Sequence, residues 1–132
     1  MIGIVIVAHG GLAREYLAAL EHVVGKQSGL TSVAIGAECN RDSKQQEIKD
    51  AIASVDTGDG VVIVTDMFGG TPSNLAMNAC ERDDRRVIYG ANLPMLVKLA
   101  KARGMGLQKA VACAVDAGHK YLDCAQKSVA RA

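Results

Sequence analysis

His9 and Asp66 are the residues of this chain whose types and surroundings could do chemistry together. His9 follows a run of strand-forming apolar residues, 4–7, and precedes Gly10 and Gly11. Asp66 follows a second such run, 60–65, and precedes Met67-Phe68-Gly69-Gly70-Thr71-Pro72. A carboxylate that accepts from one imidazole nitrogen fixes the tautomer and leaves the other nitrogen with a free lone pair. It also stabilises the cation formed when that nitrogen attacks an electrophile. Glycines at 10, 11, 69 and 70 let backbone amides approach an anion closely, and a helix opening at Thr71-Pro72 would aim its positive end at the same place. With the Thr71 hydroxyl, the set describes a site for a phosphoryl group carried on an imidazole. His9 is the nucleophile, Asp66 its orienter, and Gly10, Gly69, Gly70 and Thr71 surround the phosphate.

Each of these residues also has a plainer reading. A histidine after a buried strand is more often structural, an aspartate can cap a loop, and Gly69-Gly70 can be a simple turn. The combination favours function, because a bare turn does not require two glycines before a Thr-Pro helix start. His22, on the charged side of a helical pattern, and His119, in the tail, read as surface residues. Asp56, Asp59, Asp83 and Asp84 read as turn residues. No Walker A, GxGxxG or GxSxG pattern occurs, so nucleotide hydrolysis has no visible machinery.

The elements that must position the pair are four short β-rich runs, 2–7, 31–37, 60–65 and 86–90, with helical patterns between them. This is the signature of an α/β fold: a doubly wound, mainly parallel four-stranded sheet with helices on both faces. In such sheets ligands collect at the carboxyl ends of the strands, and the first and third strands are commonly neighbours. His9 and Asp66 are therefore expected side by side. The first helix carries Leu12, Ala13, Tyr16, Leu17, Leu20, Val23 and Val24 at helical spacing and stops at Gly25; the second, 42–54, sets Ile48, Ala51, Ile52 and Val55 on one stripe. In the third, Thr71 is expected as N-cap and Pro72 at the first helical position. Leu93-Pro94 opens a fourth helix, and a fifth spans 107–117. The tail "HKYLDCAQ" is ambiguous between helix end and strand, and "KSVARA" reads as a frayed end.

The 132 residues are expected to form one domain, 1–132. Fifteen basic and fourteen acidic residues are spread along the chain, which disfavours nucleic acid or an anionic membrane as partner. Aromatic content of 3% argues against base stacking. Cys39, Cys80, Cys113 and Cys124 lie far apart with no CxxC pair, so they are expected as buried reduced thiols, with neither a metal site nor a cofactor. No signal segment or membrane-length apolar run is visible. A soluble, cytoplasmic chain is expected.

Three stretches in order, "IVIVAHGG" (4–11), "VTDMFGGTPSN" (64–74) and "YGANLPML" (89–96), make the chain resemble the IIA component of the mannose family of the bacterial phosphoenolpyruvate-dependent sugar phosphotransferase system. The resemblance runs from residue 2 to about 124, and its D-x-[FW]-G-G-[ST]-P pattern is specific. It implies that His9 is phosphorylated by the phosphocarrier HPr and hands the group to a histidine or cysteine of a IIB component. Asp66 would be the aspartate bonded to that imidazole, and Thr71 the hydroxyl near the phosphate. Asn92 to Met95, Asn92 and Pro94 among them, would wall the site, with Met67 and Phe68 docking the partner. The resemblance further implies a homodimer that exchanges a C-terminal strand, for which "KYLD" at 120–123 is the candidate, and membrane contact only through a permease complex. Ala8 stands where some members have threonine. With no fused IIB domain in the sequence, the acceptor is expected to be a separate protein serving sugar uptake, or the phosphorylation state itself to be a regulatory signal.

Two other classes stay open from the residues. The phosphotransfer subunit of dihydroxyacetone kinase also begins with a strand and a histidine, but favours a different glycine-rich stretch in place of "DMFGGTPSN". A small HG-type metal chelatase or metal-binding module needs a second histidine or acid near His9, and His22 and His119 are poorly placed for that.

Overall fold

The computed structural model describes residues 1–126. The elements run β1 (Gly3–His9), α1 (Leu12–Val24), β2 (Leu30–Ile35), α2 (Arg41–Val55), β3 (Val61–Thr65), α3 (Thr71–Asn78), β4 (Arg85–Ile88), α4 (Leu93–Lys101) and α5 (Leu107–Lys120). The strands form one sheet in the order β2-β1-β3-β4, with every pairing parallel.

The central strands are apolar from Ile4 to Ala8 and from Val61 to Val64 because both of their faces are covered. Ile4, Ile6 and Ala8 of β1 join Val62 and Val64 of β3 in one core layer with Leu20 of α1, Leu96 and Leu99 of α4, and Ala110 and Ala114 of α5. Val5 and Val7 join Val61 and Ile63 in the other layer, against Ile48, Ile52 and Val55 of α2 and Leu75 and Ala76 of α3. Alternate residues of one strand thus serve two cores, as the period of two requires. The helix after β1 lies on one face and the helix after β3 on the other. The carboxyl ends of β1 and β3 therefore flank the crevice where the winding direction reverses. At the opposite end, buried Arg103 donates to the carbonyls of Ile2 (2.7 Å) and Gly29 (2.9 Å), which secures the sheet's entry.

Several expectations are corrected. Strand β2 ends at Ile35, which leaves Gly36 and Ala37 in the following loop. Helix α5 runs on through His119 and Lys120, and residues 122–125 form neither strand nor helix in this chain. In the single chain "KYLD" is thus a helix end and an exposed tail, with Leu122 80% exposed, and its exchange between two subunits stays an expectation of the resemblance. The cysteines are free, but Cys39, Cys80 and Cys113 are only partly buried and Cys124 is exposed. Cys39 sits in the loop before α2, packed against the edge of the second layer, and Cys124 lies beyond α5. The segment "KSVARA", 127–132, lies outside the described residues.

Candidate functional site

His9 is the last residue of β1, and Asp66 the first after β3. The β1–β3 register pairs Val7 with Thr65, so the two side chains leave the sheet together. His9 Nδ1 lies 2.7 Å from Asp66 Oδ2. The same oxygen accepts from the His9 backbone amide at 3.0 Å, and Oδ1 accepts from the Met67 amide at 2.9 Å. The Asp66 carboxyl is 10% exposed and the imidazole 49%. Burial by itself raises the pKa of Asp66, but the His9 amide, the His9 ring and the Met67 amide together outweigh it and hold the carboxyl below its ordinary value. An ionised carboxylate can only accept, so the proton in the 2.7 Å contact belongs to Nδ1. Nε2 carries the free lone pair.

The Cε1–Nε2 edge of the ring faces the start of α3. A Cβ placed on Gly70 would sit 3.0 Å from His9 Cε1 and 3.3 Å from Nε2, so only glycine leaves this edge open. Gly69 turns the chain into the helix with φ of 87°, a left-handed conformation that side chains disfavour. The expectation of Thr71 as N-cap is corrected: Gly70, in an extended conformation, is the N-cap, and α3 begins at Thr71 with no side chain capping it. The first amides of a helix have no partner within it. At α3 no side chain takes them, and the positive end of the helix lies behind them.

On the other flank of His9, Gly10 adopts φ of 56° and its amide donates to the Ile35 carbonyl at 2.9 Å. His9, Gly10 and Thr71 share a cleft of about 450 Å³ with the loop after β2, including Gly36, Cys39 and Arg41. Met67 and Phe68 are more than half exposed, and the Phe68 ring meets Tyr89 at 4.8 Å between centroids, tilted by 45°. Asn92 and Pro94 are at the start of α4 and do not line this cleft. Asn92 Oδ1 accepts from the Met95 amide and Nδ2 donates to the Gly118 carbonyl, both at 3.0 Å. Pro94 lines a separate apolar groove with Val23, Val97 and Tyr121.

Two residues near the pair escaped the sequence reading. The Tyr16 hydroxyl donates to the Ala91 carbonyl at 3.1 Å, while the Ala91 amide donates to Thr65 O at 3.1 Å, which ties α1 and the loop after β4 to the end of β3. Burial, and then the Asp66 charge, push the Tyr16 phenol above its ordinary value. Arg41 is the second. The rule that points to residues after strands would have found it had β2 been ended at Ile35. Among the described residues, no group of three or more His, Cys, Asp or Glu side chains is placed to hold a metal ion. The metal-module alternative therefore has no ligand set there.

A family model described as the PTS system fructose IIA component (EIIA-man) matches residues 3–115. The chain belongs to this family. The PTS system mannose-specific EIIAB component of Escherichia coli K12 is 31% identical over 122 residues, which cover 90% of this chain and 38% of that protein. The chain thus spans well under half the length of that relative. The PTS system fructose-specific EIIA component of Bacillus subtilis 168 is 26% identical over 104 residues, 78% of this chain and 71% of that one. Among solved structures, the phosphotransferase system component EIIA of Streptococcus agalactiae superposes with a TM-score of 0.84 at 26% identity, covering 94% of this chain and 97% of the other. Membership of the IIA family places the chain among the components of the phosphotransferase system. No helix among the described residues is long and apolar enough to cross a membrane.

Proposed function

We propose that this chain is a phosphocarrier in which His9 Nε2 takes a phosphoryl group from an HPr-type protein and passes it to a IIB component, for sugar uptake or as a regulatory signal. The observation that carries this reading is the 2.7 Å contact that commits Nδ1 to Asp66 while Nε2 faces the uncapped start of α3. The Nε2 lone pair attacks phosphorus in line with the donor's nitrogen. The new N–P bond forms as the donor's breaks, and the released electron pair stays on the donor nitrogen. No proton has to leave Nε2. The Nδ1 proton remains between the ring and Asp66, whose carboxylate offsets the positive charge that develops on the imidazole. Free amides at the start of α3 and the Thr71 hydroxyl are the donors for the phosphoryl oxygens, and Gly10, Gly69 and Gly70 leave room for them. Donation to the acceptor runs the same steps in reverse.

Met67 and Phe68, exposed beside the site and joined by Tyr89, offer an apolar surface for the partner proteins. The reading makes residues 1–132 one cytoplasmic IIA domain that acts as a homodimer and reaches the membrane only through a permease complex. The test is intact-mass analysis after incubation with phosphoenolpyruvate, Enzyme I and HPr. One acid-labile phosphate on the wild type and none on His9→Ala is the expected result. An unmodified wild type with active upstream proteins, or a phosphate retained by His9→Ala, would overturn the proposal.

A further inference from the structure

Of the groups lining the His9 cleft, Arg41 is the one with a permanent charge. It is also unlike the other arginines of the described residues, each of which is engaged. Arg14 lies 3.8 Å from Glu15, and Arg82 and Arg85 pair with Asp56 and Asp84. Arg86 donates to the carbonyls of Asp83 and Arg85, and Arg103 to those of Ile2 and Gly29. Arg41 has no ion pair or hydrogen-bond partner for its side chain among the described residues, although Glu38 and Asp42 are close in sequence. Its backbone is nonetheless fixed. Asn40 Oδ1 caps α2 by accepting from the Ser43 amide at 3.0 Å, so α2 begins at Arg41 in a defined geometry. What the start of α2 brings to the cleft is the Arg41 side chain.

We propose that Arg41 binds the phosphoryl group carried by His9, donating hydrogen bonds to its oxygens from the β2 side of the cleft. This rests on the phosphocarrier reading and adds to it a residue that acts only in the phosphorylated state. A phosphoryl group brings charge of about −1.5 to −2 at neutral pH. A planar guanidinium with several donors matches its oxygens better than an ammonium does. In the unphosphorylated protein the same arginine is solvated and idle, which explains why it has no internal partner.

The test separates binding of the phosphoryl group from docking of the partner. For transfer between phospho-HPr and this protein, the equilibrium constant depends only on the free and phosphorylated forms of each. A residue that touches only the partner alters the forward and reverse rates equally and leaves that constant unchanged. The measurement is the equilibrium distribution of phosphate between HPr and the wild type, Arg41→Met and Arg41→Lys. The expected result is a constant about five- to tenfold lower for Arg41→Met, the size of one charge-assisted bond in a half-open site, with Arg41→Lys between. An unchanged constant for Arg41→Met overturns the proposal, whether its rates are normal or slowed in both directions. If the wild type takes no phosphate from phospho-HPr, the phosphocarrier reading itself fails, which is a different result. The thermal midpoint of Arg41→Met is expected to match the wild type, since the side chain makes no internal bond.

Discussion

Helices α3 and α4 start in similar ways and finish those starts differently. Each has a proline in its first turn, Pro72 or Pro94, set behind an N-cap in extended conformation. At α4 the cap is Asn92, whose side chain accepts from the Met95 amide and ties itself to Gly118 of α5. At α3 the cap is Gly70, which has no side chain to give, and the imidazole of His9 stands where one would be. A glycine cap costs only a few tenths of a kcal/mol relative to asparagine, so an open helix start is a small sacrifice of stability. The contrast teaches that α4 commits a first-turn amide to the fold, whereas α3 leaves its own without a side-chain cap beside His9, where the proposed phosphoryl group would sit.

Asp66→Ala should have the largest effect on this contrast, because it removes the group that fixes the tautomer and offsets the imidazolium. Phosphorylation of His9 by phospho-HPr is expected to slow by about a hundredfold or more, measured as rate of phosphate uptake. Next comes Gly70→Ala. Gly70 has φ of −86°, which alanine adopts freely, so the fold should stand while the added methyl crowds Nε2. Uptake should fall by roughly tenfold with the thermal midpoint nearly unchanged. A Gly70→Ala variant as fast as wild type would mean that the phosphate does not approach from α3. Asn92→Ala is the converse. It should lose about 1 kcal/mol of stability in denaturant unfolding, while uptake stays within about twofold of wild type. A large loss of uptake in a stable Asn92→Ala protein would give α4 a place in the site and break the contrast.

The smallest expected effect is on stability against pH. Because Asp66 is held below its ordinary value of 3.8, the unfolded chain binds its proton at higher pH than the folded one. Its contribution is fully present above that ordinary value and is lost as pH falls through the lower folded value. The stability difference between wild type and Asp66→Asn should therefore shrink in this acid window and be flat above it. A difference that instead changes around neutrality would assign the titration to another group.

The pair at the centre of the site was legible because residues following strands in a doubly wound sheet are few and the first and third strands adjoin. His9, Asp66, Gly69 and Gly70 all fell to that rule. The cap of α3 was misplaced by one residue, since Thr71 is the better cap by type and only the extended backbone at Gly70 decides the matter. Tyr16 looked like one more apolar residue of α1; its hydrogen bond reaches Ala91, 75 residues away, which no local pattern reports. Arg41 was passed over because the apolar run after residue 30 continues through Ala37, whereas pairing with β1 ends at Ile35 opposite His9. The tail at 120–123 carries strand-like residues, but in the single chain α5 runs on to Lys120 and residues 122–125 pair with neither edge of the sheet, β2 or β4.

The most direct test of the account is the nitrogen that carries the phosphate, read by NMR from the ¹⁵N–³¹P couplings and ring nitrogen shifts of the phosphorylated, ¹⁵N-labelled protein. The account predicts phosphorus bonded to Nε2 of His9, with Nδ1 still protonated against Asp66. Phosphorus on Nδ1, where the carboxylate now sits 2.7 Å away, would contradict it.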